Sequence, residues 1–211
     1  MADRWLKKEE RGYPVAYNFY PMIARMRYIN RWGLMRNTFS DNLAEHSLDT
    51  AVLAHALCLI GNEYFGKELD AERCAVLALF HDAGEIITGD MPTPIKYRSE
   101  ALRSLYREVE ESAEAELVSR LPEKLRPHYS AIFSMEEDAG LRPYVKAADK
   151  LSAYIKCLQE TQSGNREFSH ALACQEKALR ELHLPEVDFF FETCIPAFSQ
   201  NLDAAYTEEK N

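Results

Sequence analysis

The run from Asp70 to Glu85, DAERCAVLALFHDAGE, decides the fold. Asp70 is suited to cap a helix, and behind it Cys74, Leu77, Ala78 and His81 recur at the i, i+3, i+4, i+7 spacing of one buried helical face. That face ends in an imidazole followed at once by the carboxylate of Asp82. Two such groups buried without partners are costly, so this end of the helix requires something to bind, and a divalent cation satisfies both side chains.

Outward from this segment the periodicity stays helical, with Pro, Gly and Asn as punctuation. The pattern predicts helices over 17–28, 45–64 and 71–81. After a Gly89–Pro94 loop it predicts others over 99–121, 123–134, 142–163, 165–182 and 186–206. In 99–121 it places Leu102, Leu105, Val109, Ala113 and Leu117 inward and Glu108, Glu110, Glu111 and Glu114 outward, and in the last helix Pro196 should produce a kink. Val187, Phe190, Phe191, Cys194, Phe198 and Leu202 form an apolar stripe there, read as core in preference to a dimer face. The expectation is an all-α bundle of roughly seven to nine helices in one domain over 17–206. A polar lead-in, 1–16, precedes it and a short tail, 207–211, follows.

With 211 residues and 46% hydrophobic content the chain can bury one sizeable core. A formal charge of −9, from 34 acidic and 25 basic side chains, disfavours polymeric nucleic acid as a partner. A small anion remains admissible, because a bound cation and one or two Arg residues reverse the potential locally. The five cysteines include no Cys-x-x-Cys pair and each falls in a predicted helix, which fits reduced core thiols and a cytoplasmic protein. The charged N-terminus lacks the apolar core of a signal peptide, and no run is expected to approach a membrane span. Neither export nor a membrane partner is expected.

Further ligand types stand at His46, opening one helix, and at Asp149, after Ala147 and Ala148 in another. His55 lies about 180° round its helix from His46 and is left out, as are His128, His170 and His183. Spacing alone does not bring His46, His81, Asp82 and Asp149 together, and on pattern alone satisfied polar core or surface residues are the commoner reading. Their order does, however, resemble the H…HD…D signature of HD-domain phosphohydrolases. The segments Ile29-Asn30-Arg31-Trp32-Gly33-Leu34-Met35-Arg36-Asn37, Thr88-Gly89-Asp90-Met91-Pro92-Thr93-Pro94-Ile95-Lys96-Tyr97 and Tyr154-Ile155-Lys156-Cys157-Leu158-Gln159-Glu160 resemble, more narrowly, the bacterial 5′-deoxynucleotidases of the YfbR type. The likeness runs from about Tyr20 to about Leu202, with Gly84 and Met91 standing where Ser or Ala, and Leu, are expected.

The resemblance implies an HD-domain helical bundle that hydrolyses deoxyribonucleoside 5′-monophosphates, and a homodimer. It implies a divalent transition metal, cobalt or manganese in type, on His46, His81, Asp82 and Asp149. In an octahedral shell, four protein ligands leave two positions for water and a phosphate oxygen. Glu85 then exchanges protons with water or leaving group, and Arg31, always cationic and forked, clamps phosphate. Trp32 offers a wall to sugar or base, and Asp90, Met91, Pro92 and Thr93 form a stiff loop facing the sugar. His46, Asp82 and Asp149 also lie against the substrate. Two other readings stay open: cleavage of a phosphodiester or pyrophosphate, and a non-catalytic protein that binds metal or nucleotide.

Overall fold

The computed structural model describes residues 16–96 and 98–200, apart from the side chains of Thr93 and Pro94. The expected lead-in before Ala16, the continuation of the last helix to Tyr206 and the 207–211 tail lie outside the described residues. Within them the fold is all-α. Eight helices of five residues or more are present: α1 (Phe19–Ile23), α2 (Leu43–Phe65), α3 (Ala71–Phe80), α6 (Glu100–Ser119), α7 (Arg126–Ser134), α8 (Arg142–Gln162), α9 (Ser169–Arg180) and α10 (Pro185–Thr193). Two single turns, α4 (Glu85–Thr88) and α5 (Thr93–Lys96), connect α3 to α6. The described residues contain no strand, only an isolated antiparallel bridge between Asn30 and Asn42.

Local chemistry sets the element boundaries. Asn42 begins α2, its side chain accepting from the N–H groups of Ala44 and Glu45, and Gly66 ends it at φ 63°, a left-handed conformation that costs glycine little. Asp70 caps α3 through the Arg73 N–H. Ser99 caps α6 through Leu102, and Pro143 occupies the first turn of α8, where its missing N–H costs nothing.

Helices α2, α3 and α8 pack against one another, with α10 on α2 and α9 on α8. Fully buried Ala54, Ala78, Ala147 and Ala148 let these helices approach closely, while Leu57, Leu77 and Leu151 fill the space between them. Each such leucine contributes about 1.5–3 kcal/mol by leaving water. Asp149 follows the two small alanines of α8, so the close crossing brings its carboxylate to the ends of α2 and α3.

Several expectations are corrected. The first helix is divided, α1 giving way to a 3-10 turn over Ala24–Tyr28. Helix α6 turns Tyr106, Ala113 and Leu117 inward and leaves Leu105 and Val109 at the surface, so Glu110 and Glu114 are half-buried. The stripe of Tyr106, Ala113 and Leu117 competes with that of Leu102, Leu105 and Val109, and the two share Ala113 and Leu117. Helix α10 ends at Thr193, and Pro196 lies in a separate 3-10 turn over Ile195–Ser199, a break where a kink was expected. Its Val187, Phe190 and Phe191 are buried inside this chain. Cys174 is exposed and is no core thiol. By length and composition α2 could cross a membrane, against the expectation that no run would. In this fold 56% of its apolar 18-residue stretch is buried.

Candidate active site

His46, near the start of α2, and Asp149, midway along α8, meet His81 and Asp82, which follow the last residue of α3. One ligand atom from each of the four lies within 4.8 Å of all the others. His46 Nε2 is 3.3 Å from Asp149 Oδ1 and 3.5 Å from Asp82 Oδ2. His81 Nε2 is 3.1 Å from Asp82 Oδ2 and 3.9 Å from Asp149 Oδ1.

The far side of the His81 ring fixes its tautomer. His81 Nδ1 lies 2.7 Å from the Ala78 carbonyl, which only accepts, so this nitrogen carries the hydrogen, and in the neutral ring Nε2 is the atom with the free lone pair. That Nε2 is buried with no aligned hydrogen-bond partner. His46 Nδ1 lies 3.1 Å from Ser152 Oγ, on the next turn of α8 after Asp149. Two imidazole lone pairs and two carboxylates facing a common point make a donor set for a divalent cation, and the buried orphan nitrogen is the observation that says they fit one.

In the absence of an ion His81, Asp82 and Asp149 perturb one another's protonation. Burial alone would lower His81, but Asp82 and Asp149 outweigh it and raise it well above the ordinary imidazole range. Burial would likewise raise Asp82 and Asp149, yet the imidazoles hold both carboxyls below theirs. A cation and protons therefore compete for one set of atoms, and acid favours the protons.

Arg31 is placed by the Asn30–Asn42 bridge, its N–H donating to the Asp41 carbonyl at 2.9 Å. Its guanidinium is nearly buried: Nη1 donates to Asp82 Oδ2 at 3.4 Å, while Nε lies 3.4 Å from Asp41 Oδ2 without an aligned acceptor. Burial opposes its charge, and Asp82, Asp149, Asp41 and Asp90 together more than restore it. Trp32 sits at φ 58°, the left-handed region that costs a bulky residue strain. Its Nε1 donates to Asp41 Oδ2 at 3.1 Å, and its ring lies 5.4 Å from that of Phe168. Asp90 and the half-buried Met91 and Pro92 follow α4. Burial raises the Asp90 carboxyl and Arg31 pulls it back, so the two face each other electrostatically. The side chain of Thr93 lies outside the described residues.

Glu85 lies beside this cluster, on a cavity of about 190 Å³ whose wall includes His81, Asp82, Glu85, Lys96, Glu110 and Glu114. It is 8% exposed and its Oε2 has no partner. Burial, Asp82 and Asp90 push its carboxyl up to about 9, and burial with Glu110 and Glu111 pushes Glu114 up to about 7. Both bind a proton more tightly folded than unfolded. They therefore stabilise the fold fully below their ordinary value of 4.5, and that stability is lost as pH rises through about 7 and about 9. The melting temperature of metal-stripped protein should fall across this window, and Glu85→Gln should flatten its upper half. Calorimetry that finds the same slope in wild type and variant would refute the Glu85 contribution. A bound cation favours the ionised carboxylate and should flatten the slope as well.

Sequence reasoning missed Asp41, Ser152 and the inward turn of Glu110 and Glu114. Ser152 was within reach, because it stands three residues after Asp149 on the same helical face. It also missed the clasp beneath the Arg31–Trp32 loop. Lys156 donates to the Phe39 carbonyl at 2.7 Å and to Glu160 Oε1 at 2.5 Å, while Glu160 accepts from the Thr38 N–H and hydroxyl and from Asn165. Glu160 is fully buried and Lys156 5% exposed. Glu160→Ala strands the ammonium and should cost about 3–5 kcal/mol in urea unfolding. A loss below about 1 kcal/mol, the worth of a surface pair, would contradict the clasp.

Residues 18–198 match the family described as 5′-deoxynucleotidase YfbR-like. The chain belongs to this family. It is 42% identical to a 5′-deoxynucleotidase of Photorhabdus laumondii, over 88% of this chain and 95% of that one. To a 5′-deoxynucleotidase of Yersinia pestis it is 44% identical, with the same coverage. Among solved structures, an HD-domain phosphohydrolase of Listeria innocua superposes with a TM-score of 0.76 at 24% identity, covering 90% of this chain and 92% of that one. The HD phosphohydrolase of cyanophage S-2L, bound to dA and one catalytic Zn2+ ion, gives 0.62 at 20% identity, covering 83% and 95%. The HD-domain fold of this YfbR-like member is thereby shown.

Proposed function

We propose that this protein is a metal-dependent 5′-deoxynucleotidase, a phosphoric monoester hydrolase that converts deoxyribonucleoside 5′-monophosphates to deoxyribonucleoside and phosphate. One observation carries the reading: in a chain of this family, His46, His81, Asp82 and Asp149 converge within 4.8 Å beside Arg31 and Glu85. The relatives named 5′-deoxynucleotidase support the substrate class, and dA and zinc in the cyanophage protein fit it.

His46, His81, Asp82 and Asp149 hold the ion, and their mixed nitrogen and oxygen donors favour a borderline metal such as cobalt or manganese. Bound there, such an ion supplies a Lewis acid for a phosphoryl oxygen and acidifies a water into a nucleophile near neutral pH. Arg31 binds the phosphate through its donors and keeps it at the Asp82 side of the site. Glu85 exchanges a proton with the attacking water or the departing 5′-oxygen, a task suited to a buried carboxyl that faces the cavity beside Asp82. Trp32 walls the sugar or base, and Asp90, Met91, Pro92 and Thr93 line the sugar side.

The catalytic domain spans 17–206, in keeping with the family match over 18–198. The protein is a cytoplasmic homodimer. Free thiols at all five cysteines fit a reducing compartment, and α2 offers a self-association face with Leu48, Val52 and Leu59 exposed by 58%, 61% and 43%.

Metal-stripped protein, resupplied with cobalt or manganese, should release inorganic phosphate from deoxyribonucleoside 5′-monophosphates. Absence of turnover with every divalent ion would end this reading. Cleavage confined to triphosphates or cyclic nucleotides, resolved by chromatography, would replace it with another HD chemistry.

A further inference from the structure

We propose that Lys96 is a second cationic contact for the substrate's phosphate, donating from Nζ to a non-bridging oxygen across the cavity it shares with His81 and Asp82. This rests on the monophosphate hydrolysis proposed above.

Four acidic residues, Asp82, Glu85, Glu110 and Glu114, line that cavity with His81, and Lys96 is the one lysine or arginine on its described wall. Arg31 is not part of this wall. A phosphate dianion bound at the cation beside Asp82 meets Lys96 across the cavity, and without Lys96 the lysine and arginine charge on that wall is gone while Asp82 and Glu110 remain.

Lys96 is held ready for such a contact. Its Nζ lies 2.6 Å from Glu110 Oε1 and 4.7 Å from the centre of the Tyr106 ring, and the side chain is 26% exposed. An ammonium has three donors and Glu110 takes one, so hydrogen-bonding capacity remains. The backbone is fixed as well, because the N–H groups of Ile95 and Lys96 both donate to the Pro92 carbonyl, at 2.8 and 3.1 Å. Burial works against the charge, but Glu110 and Glu85 keep it in place.

The competing account is that the Lys96–Glu110 pair merely ties α5 to α6. Variants Lys96→Gln, Lys96→Arg and Glu110→Gln, full-length and metal-loaded, separate the two. Inorganic phosphate is titrated by calorimetry, and steady-state kinetics are measured on deoxyribonucleoside 5′-monophosphates. Lys96→Gln should weaken phosphate binding and raise KM by roughly 10- to 100-fold, the worth of a hydrogen bond to a charged group. Lys96→Arg should recover most of the affinity. Glu110→Gln removes the charge that ties Lys96 to α6 yet keeps the cation, and should bind phosphate as well as wild type or more tightly.

Phosphate affinity in Lys96→Gln equal to wild type, or an equal loss in Glu110→Gln, would overturn the proposal, as would a wild type that binds no phosphate. Should Lys96→Gln not fold, Lys96→Arg and Glu110→Gln still decide. A wild type that binds phosphate but turns over no nucleotide defeats the proposed hydrolysis, while the titration still tests Lys96.

Discussion

Replacing Asp82 with Asn should leave a folded protein that retains no divalent cation and turns over nucleotide at least about a thousandfold more slowly, the scale of losing one preorganised electrostatic group. Asp82 Oδ2 approaches three partners: His81 Nε2 at 3.1 Å, Arg31 Nη1 at 3.4 Å and His46 Nε2 at 3.5 Å. Its negative charge therefore serves the cation and the phosphate clamp together. Asparagine keeps the shape but removes that charge and points an amide toward a guanidinium, so ion affinity and Arg31 placement fail together. Elemental analysis after dialysis and kcat/KM report the two losses. A variant with one tightly held ion per chain and near wild-type turnover would show that Asp82 is not a ligand.

Glu85→Gln should lower kcat by roughly 10²–10⁴, the range for losing a general acid or base, while ion content and KM stay near wild type. The separation follows from its position. Glu85 is absent from the set of ligand atoms lying within 4.8 Å of one another, yet it faces the cavity that His81 and Asp82 share. Its Oε2 has no protein partner to lose, so the amide should be accommodated without disturbing the fold. The limb of the pH–rate profile that belongs to Glu85 should vanish in the variant. Unchanged kcat would reduce Glu85 to a wall residue, and a loss of metal would recast it as a ligand.

The helical frame was legible because its signals are local. Asp70 caps α3 as its side-chain chemistry dictates, and Cys74, Leu77 and Ala78 bury the face their spacing defines. His81 and Asp82 were conspicuous as polar groups ending an apolar stripe. Nothing local connects them to Asp149, 67 residues beyond Asp82, and only resemblance placed the two together before α2, α3 and α8 were seen to cross. Helix α6 shows where periodicity fails. Two apolar stripes share Ala113 and Leu117, and tertiary packing chose the one containing Tyr106, which turned Glu110 and Glu114 toward the cavity. Asp41 was invisible for another reason. It acts through a bridge between two irregular segments, and loops carry no period to read.

Anomalous diffraction at the cobalt edge, from crystals of the cobalt-loaded protein, tests the four-residue centre most directly. One peak enclosed by His46 Nε2, His81 Nε2 and carboxylate oxygens of Asp82 and Asp149 is the expected result. A peak at any other group of side chains, or none with Asp149 turned away from the two imidazoles, would contradict it.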